Sequence, residues 1–70
     1  MAPDALNTLR SRYTAAYEAY LQAAKRVSEK IAGGLAPSVE EIEAEAKAIE
    51  RLAIARRALL DAISRLAAPR

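Results

Sequence analysis

Apolar side chains return every seven positions through two stretches of this chain. Leu6, Tyr13, Tyr20 and Val27 form one series; Ile42, Ile49, Arg56 and Ile63 form a second, interrupted only by its arginine. A seven-residue recurrence sets side chains on one line along an α-helix. Between the two series lies Gly33-Gly34-Leu35-Ala36-Pro37-Ser38, rich in residues that stop helices. The pattern predicts an all-α fold, an antiparallel two-helix hairpin.

The ends of the helices carry their own signals. Asp4, just after Pro3, is the expected cap of a first helix running from about 4 to 32, and the glycine pair ends that helix by taking up left-handed backbone angles. Ser38-Val39-Glu40-Glu41 has the S-x-x-E form of a capping box, in which the hydroxyl and the carboxylate each satisfy a backbone N–H. A second helix is expected from about 39 to 67, closed by Pro69, so that residues 1–70 make one domain with a loop at 33–38.

Folding the helices back at that loop sets Leu6 level with Ile63, Tyr13 with Arg56, Tyr20 with Ile49 and Val27 with Ile42. Small pairs, Ala16 with Ala53 and Ala23 with Ala46, fall between these layers, an alternation that lets helix axes approach to about 8 Å. These residues are the expected seam. Beside it run further apolar lines, Tyr17, Ala24 and Ile31 on the first helix, and Leu52-Leu59-Leu66 and Ala46-Ala53-Leu60-Ala67 on the second, while Leu21 and Ile54 point away. So much apolar width exceeds a two-helix seam. It predicts that the hairpin dimerises into a four-helix bundle, or accepts a helix of another protein in the same groove.

Composition sharpens the expectation of self-assembly. A chain of 70 residues buries little surface for its size, and the absence of cysteine and histidine removes disulfides and the usual zinc or haem sites as reinforcement. Hydrophobic residues reach 53%, but Phe and Trp are missing, much of that share is alanine, and no run is long enough to span a bilayer. The start, Met1-Ala2-Pro3-Asp4, lacks the basic and apolar segments of a signal or transit peptide, so a cytoplasmic location is expected. Heavy use of alanine and arginine suggests a bacterial or phage gene.

Candidate chemistry is sparse. Arg56 interrupts an aliphatic line, where a bare guanidinium is costly to desolvate, and its expected neighbours Tyr13 and Tyr17 offer ring faces and hydroxyls. Tyr13, Tyr17 and Tyr20 stand on one face and are the only aromatic residues. Tyrosine beside arginine is typical of contact hot spots, so Tyr13, Tyr17, Arg10 and Arg56, with the line Leu52, Leu59 and Leu66, are the expected partner-binding residues.

Charge is mild overall, +2, but polarised along the second helix: Glu40, Glu41, Glu43, Glu45 and Glu50 precede Arg51, Arg56, Arg57, Arg65 and Arg70. This complements the helix dipole. In a hairpin the acidic half lies beside Lys25, Arg26 and Lys30, whereas Arg10, Arg12, Arg56, Arg57, Arg65 and Arg70 gather near the termini with only Asp4 and Asp61 to offset them. Arg12, Arg57 and Arg65 are the expected phosphate contacts of that basic tip. Glu41, Glu43 and Glu45 lack the histidine that accompanies glutamate in di-iron bundles, and the glycine pair lacks the lysine and serine of a phosphate loop. No metal, cofactor or catalytic activity is expected.

These features point to a small non-catalytic interaction or assembly protein, an adaptor, regulator or structural subunit, acting as an oligomeric hairpin. The alternative is a hairpin dimer that binds nucleic acid through its basic tip. In its two-helix organisation and its alternation of alanine with large layers, the chain resembles the Rop-type RNA-binding hairpin dimers that control plasmid copy number. The resemblance is one of layout, with no shared motif, and what it implies is the bundle architecture and the nucleic-acid alternative.

Overall fold

The computed structural model describes residues 3–67 of the chain. Helix α1 spans Pro3–Ala32 and helix α2 spans Val39–Ala67, and the two pack against each other as a hairpin. Among the described residues, no helix is long and apolar enough to cross a membrane.

Pro3 occupies the first turn of α1, where its fixed φ and missing N–H are no handicap. Asp4 therefore lies inside the first turn and is not the cap; its charge faces the positive end of the helix dipole, and its carbonyl accepts a 2.9 Å hydrogen bond from the Thr8 hydroxyl. The expected stop at Pro69 falls outside the described residues, as does Arg70.

The corner between the helices is tightly specified. Gly34 adopts φ 77°, and the chain reverses so that the Leu35 N–H reaches the Lys30 carbonyl at 2.8 Å and the Gly34 N–H reaches that of Ile31 at 3.1 Å. This is a Schellman ending, with glycine at the left-handed position. Four residues after Gly34, the capping box that begins at Ser38 closes in both directions. The Glu41 N–H donates to the Ser38 hydroxyl at 3.1 Å, and the Ser38 N–H donates to the Glu41 carboxylate at 2.9 Å. The same carboxylate oxygen accepts the Lys30 ammonium at 2.6 Å. Lys30 thus takes part in the end of α1 through its carbonyl and in the start of α2 through its side chain.

The inward line of α1 is Leu6, Leu9, Tyr13, Ala16, Tyr20, Ala23, Val27 and Lys30, as the first heptad series requires. On α2 the structure departs from the sequence expectation. The residues withdrawn from solvent are Glu41, Glu45, Ala48, Leu52, Ala55, Ala58, Leu59 and Ala62, whereas Ile42, Ile49, Arg56 and Ile63 stand exposed. The seam of α2 lies one residue N-terminal to the isoleucine line, a rotation of about 100° about the helix axis. Ala48, Ala55 and Ala62 face α1 in place of Ala46 and Ala53, and Leu52 and Leu59 belong to the seam and not to its flank. The level of the two helices along their axes agrees with the expectation, since Tyr13, Tyr17 and Tyr20 share one depression with Ile49, Leu52 and Arg56.

Alanine makes this seam thin. Among the described residues only Val27, Ala48 and Ala62 are buried, and no large side chain is fully enclosed. The hairpin measures 55 × 19 × 17 Å with a radius of gyration of 16.0 Å, against about 11 Å for a compact chain of this length. Its accessible surface of 5545 Å² likewise exceeds the roughly 4,300 Å² typical of a folded monomer of 7.6 kDa.

Two outcomes follow from the corner. Gly34→Ala places a Cβ in open space but at φ 77°, so the cost is conformational, about 1–2 kcal/mol in denaturant unfolding. Glu41 is held down from the usual 4.5 to about 2, first by the Lys30 hydrogen bond and then by the Ser38 N–H. The unfolded chain therefore binds more protons at Glu41 than the folded chain between these values, and the stabilisation present above about 4.5 is lost as pH falls toward 2. Thermal unfolding followed by circular dichroism is expected to show this decline, with a shallower slope for Glu41→Gln.

Candidate interaction surface

Because α2 turns the line of Ala48, Ala55 and Ala62 inward, much of its remaining aliphatic surface faces outward on one side. Ile42, Ile49 and Ile63 form one line, and Val39, Ala46, Ala53 and Leu60 form the next around the helix. Helix α1 adds Tyr17, Ala24 and Ile31 beside the seam, with Leu21 at the edge and Leu35 at the corner. Ile31, Leu35, Val39, Ile42, Ile49, Leu60 and Ile63 are 40 to 66% exposed. Scattered aliphatics on a surface are ordinary, but a continuous strip along a hairpin is the mark of a contact face.

The opposite flank is different in kind. There Ala15, Ala19, Ala23 and Ala44 floor a shallow groove edged by Gln22, Arg26 and Arg51. Near the corner Arg26 also borders Glu40 and Glu41. The hairpin is thus two-faced, aliphatic on one flank and small, polar and basic on the other. Among the described residues, no group of three or more Asp or Glu side chains converges in the way a metal ion needs.

Tyr13 and Tyr20 are half-buried at the seam, while Tyr17 opens onto the apolar flank, its ring 6.2 Å from that of Tyr13 and tilted by 39°. That separation suits an aromatic pair. Arg56 is exposed on the same flank, between Ile49 and Ile63 in its line and beside the tyrosines, and Arg10 occupies the corresponding line of α1. Leu52 and Leu59 are half-buried against α1 and offer a partner little of their surface; Leu66 is exposed near the end of α2. Arg12, Arg57 and Arg65 are all exposed at the terminal end, but they point to different sides of it, Arg57 on the outer surface of α2 and Arg12 and Arg65 on the lines bordering the small-residue flank.

Electrostatically, the corner is self-satisfied and the remainder is not. Lys30 pairs with Glu41, and Lys25 lies 3.7 Å from Glu29 on its own helix, an exposed contact of little consequence. Among the described residues no other ion pair forms, so Arg56 and the half-buried Glu45 have no charged partner within the hairpin.

Ile42, Ile49 and Ile63, which heptad counting assigned to the seam, lie instead on the exposed flank with Val39 and Leu35. The signal that distinguishes them is Arg56. A seam through the isoleucine line must bury that guanidinium mid-helix, whereas a seam through Ala48, Leu52, Ala55 and Leu59 meets charge only at Glu41, which Lys30 pairs, and at the half-buried Glu45. No protein-family model matches the chain, and no curated protein or solved structure matches it either.

Proposed function

We propose that the protein is a non-catalytic interaction or assembly protein, an adaptor, regulator or structural subunit, that works as an oligomeric helical hairpin and forms a homodimeric four-helix bundle. The observation that carries this reading is the aliphatic flank, from Leu35 and Val39 at the corner through Ile42 and Ile49 to Leu60 and Ile63, on a hairpin whose own seam is thinned by Ala16, Ala23, Ala48, Ala55 and Ala62. A thin seam leaves the two-helix unit short of buried apolar area, and a second apolar surface laid on the flank supplies it. Tyr17 and Arg56 lie within the flank and serve as its anchors.

Light scattering after size exclusion, with helicity measured in parallel, tests the reading. A helical dimer persisting at low micromolar concentration is expected. Ile49→Glu is expected to dissociate it, raising the dimer Kd at least about tenfold, while Ile54→Glu, at a more exposed position on the other side of α2, leaves it intact. A monomer at every concentration rules out self-assembly.

The nucleic-acid alternative rests on the exposed and unpaired state of Arg12, Arg57 and Arg65. It requires that a measured affinity for RNA or DNA fall steeply with salt and be lost in Arg57→Glu. Binding insensitive to both removes it.

A further inference from the structure

The apolar flank carries one charge at its middle, and that charge restricts what can cover it. Arg56 is exposed and unpaired in the hairpin; once the flank is covered, its guanidinium loses water and needs an anion. Within the chain, Glu45 is the unpaired carboxylate nearest the flank. It is half-buried at the seam, three residues after Ile42 and four before Ile49, and so borders the same aliphatic line. The two are eleven residues apart on one straight helix, about 16 Å along its axis, too far to meet within one chain.

We infer that the occupant of the flank is a second copy of this chain docked antiparallel, its corner beside the first copy's termini, so that each Arg56 meets the partner's Glu45. This rests on the self-assembly reading above and adds the direction. A two-fold axis crossing α2 near residues 50 and 51 brings Arg56 level with the partner's Glu45, and that crossing lies within one turn of the middle of Val39–Ala67, so the two hairpins overlap along nearly their full length. The same axis sets large residues against residues they can pack with. Ile42 falls within one residue of level with the partner's Leu60, Val39 with the partner's Ile63, and Ile49 with the partner's Ala53. Parallel docking does the reverse, setting Arg56 against the partner's Arg56, basic end on basic end and the glutamate-rich half of α2 on its own copy, like-charge contacts that raise the energy of the complex. The polarity of α2 therefore selects direction as well as register.

The test uses the absence of cysteine. Ala36→Cys, on the exposed loop, carries a single nitroxide, and pulsed dipolar spectroscopy reads the distance between the two labels of a dimer whose mass is confirmed by light scattering. Antiparallel docking about that axis separates the loops by roughly 45 Å, whereas parallel docking holds them within about 25 Å, given a rise of about 1.5 Å per residue and helix spacings near 10 Å. Charge reversal gives the second arm. Arg56→Glu and Glu45→Arg each raise the dimer Kd about tenfold or more, and the double variant returns it to within about threefold of the original. Circular dichroism checks that each variant remains helical. A long distance together with rescue supports the inference. A dimer with a short distance, or a double variant as weak as the single ones, overturns it and leaves self-assembly standing; a monomer overturns self-assembly itself.

Discussion

The contact between Lys30 and Glu41 sets the geometry of this hairpin. Glu41 is the third residue of α2, and a 2.6 Å contact to an ammonium on α1 turns it toward that helix. Residues seven, fourteen and twenty-one positions later follow on the same line, and these are Ala48, Ala55 and Ala62. One ion pair at the corner thus fixes the rotation of a 29-residue helix and with it the character of both flanks. Because the carboxylate is also bound by the Ser38 N–H, the pairing is anchored in the backbone of the turn and does not depend on two free side chains finding each other.

Placing alanine at the seam has two consequences that pull against each other. It lets the helices approach closely and adds the best helix-forming residue to both, yet it encloses little apolar volume, so that among the described residues only Val27, Ala48 and Ala62 are buried. The isoleucines of the heptad line are displaced to the outside, where Ile42, Ile49 and Ile63 line up with Tyr17 and Ile31 of α1. The apolar flank is therefore a direct result of the rotation and does not need a separate structural device.

Much of the hairpin was legible in the chain. The glycine pair, the S-x-x-E box and the heptad of Leu6, Tyr13, Tyr20 and Val27 give both helices, the corner and the inward line of α1, because each is a local signal read over a few residues. The seam of α2 was not legible by counting, since two adjacent lines both repeat every seven residues and the isoleucines are the more hydrophobic. What decides between them is a contact across the corner, Lys30 to Glu41, and the expense of burying Arg56, both of which belong to the folded chain and not to either periodicity. The same displacement explains the candidate site. Tyr17 and Arg10 lie on or beside the flank, and Arg56, counted into the seam with the isoleucines, is carried out onto it with them, whereas Leu52 and Leu59 turn inward because the seam passes through their line. At the start of α1, Asp4 looked like a cap because the preferred residue type was present, but Pro3 already occupies the first turn.

The direction of docking also bears on what such an assembly can do with its arginines. In a parallel dimer the basic ends of both copies would gather at one end of the bundle, with Arg10, Arg12, Arg57 and Arg65 of each copy forming a dense positive surface suited to phosphate. In the proposed antiparallel dimer the two basic ends lie at opposite ends of a rod about as long as the 55 Å hairpin, and each sits beside the partner's glutamate-rich half. The potential at each end is then partly neutralised, and what remains prominent is the small-residue groove between Arg26 and Arg51 on the outer flank of each copy. Antiparallel assembly thus favours an outer surface that meets proteins over one that collects nucleic acid. The position of one arginine, eleven residues from a matching glutamate, is what links the packing of the dimer to that choice.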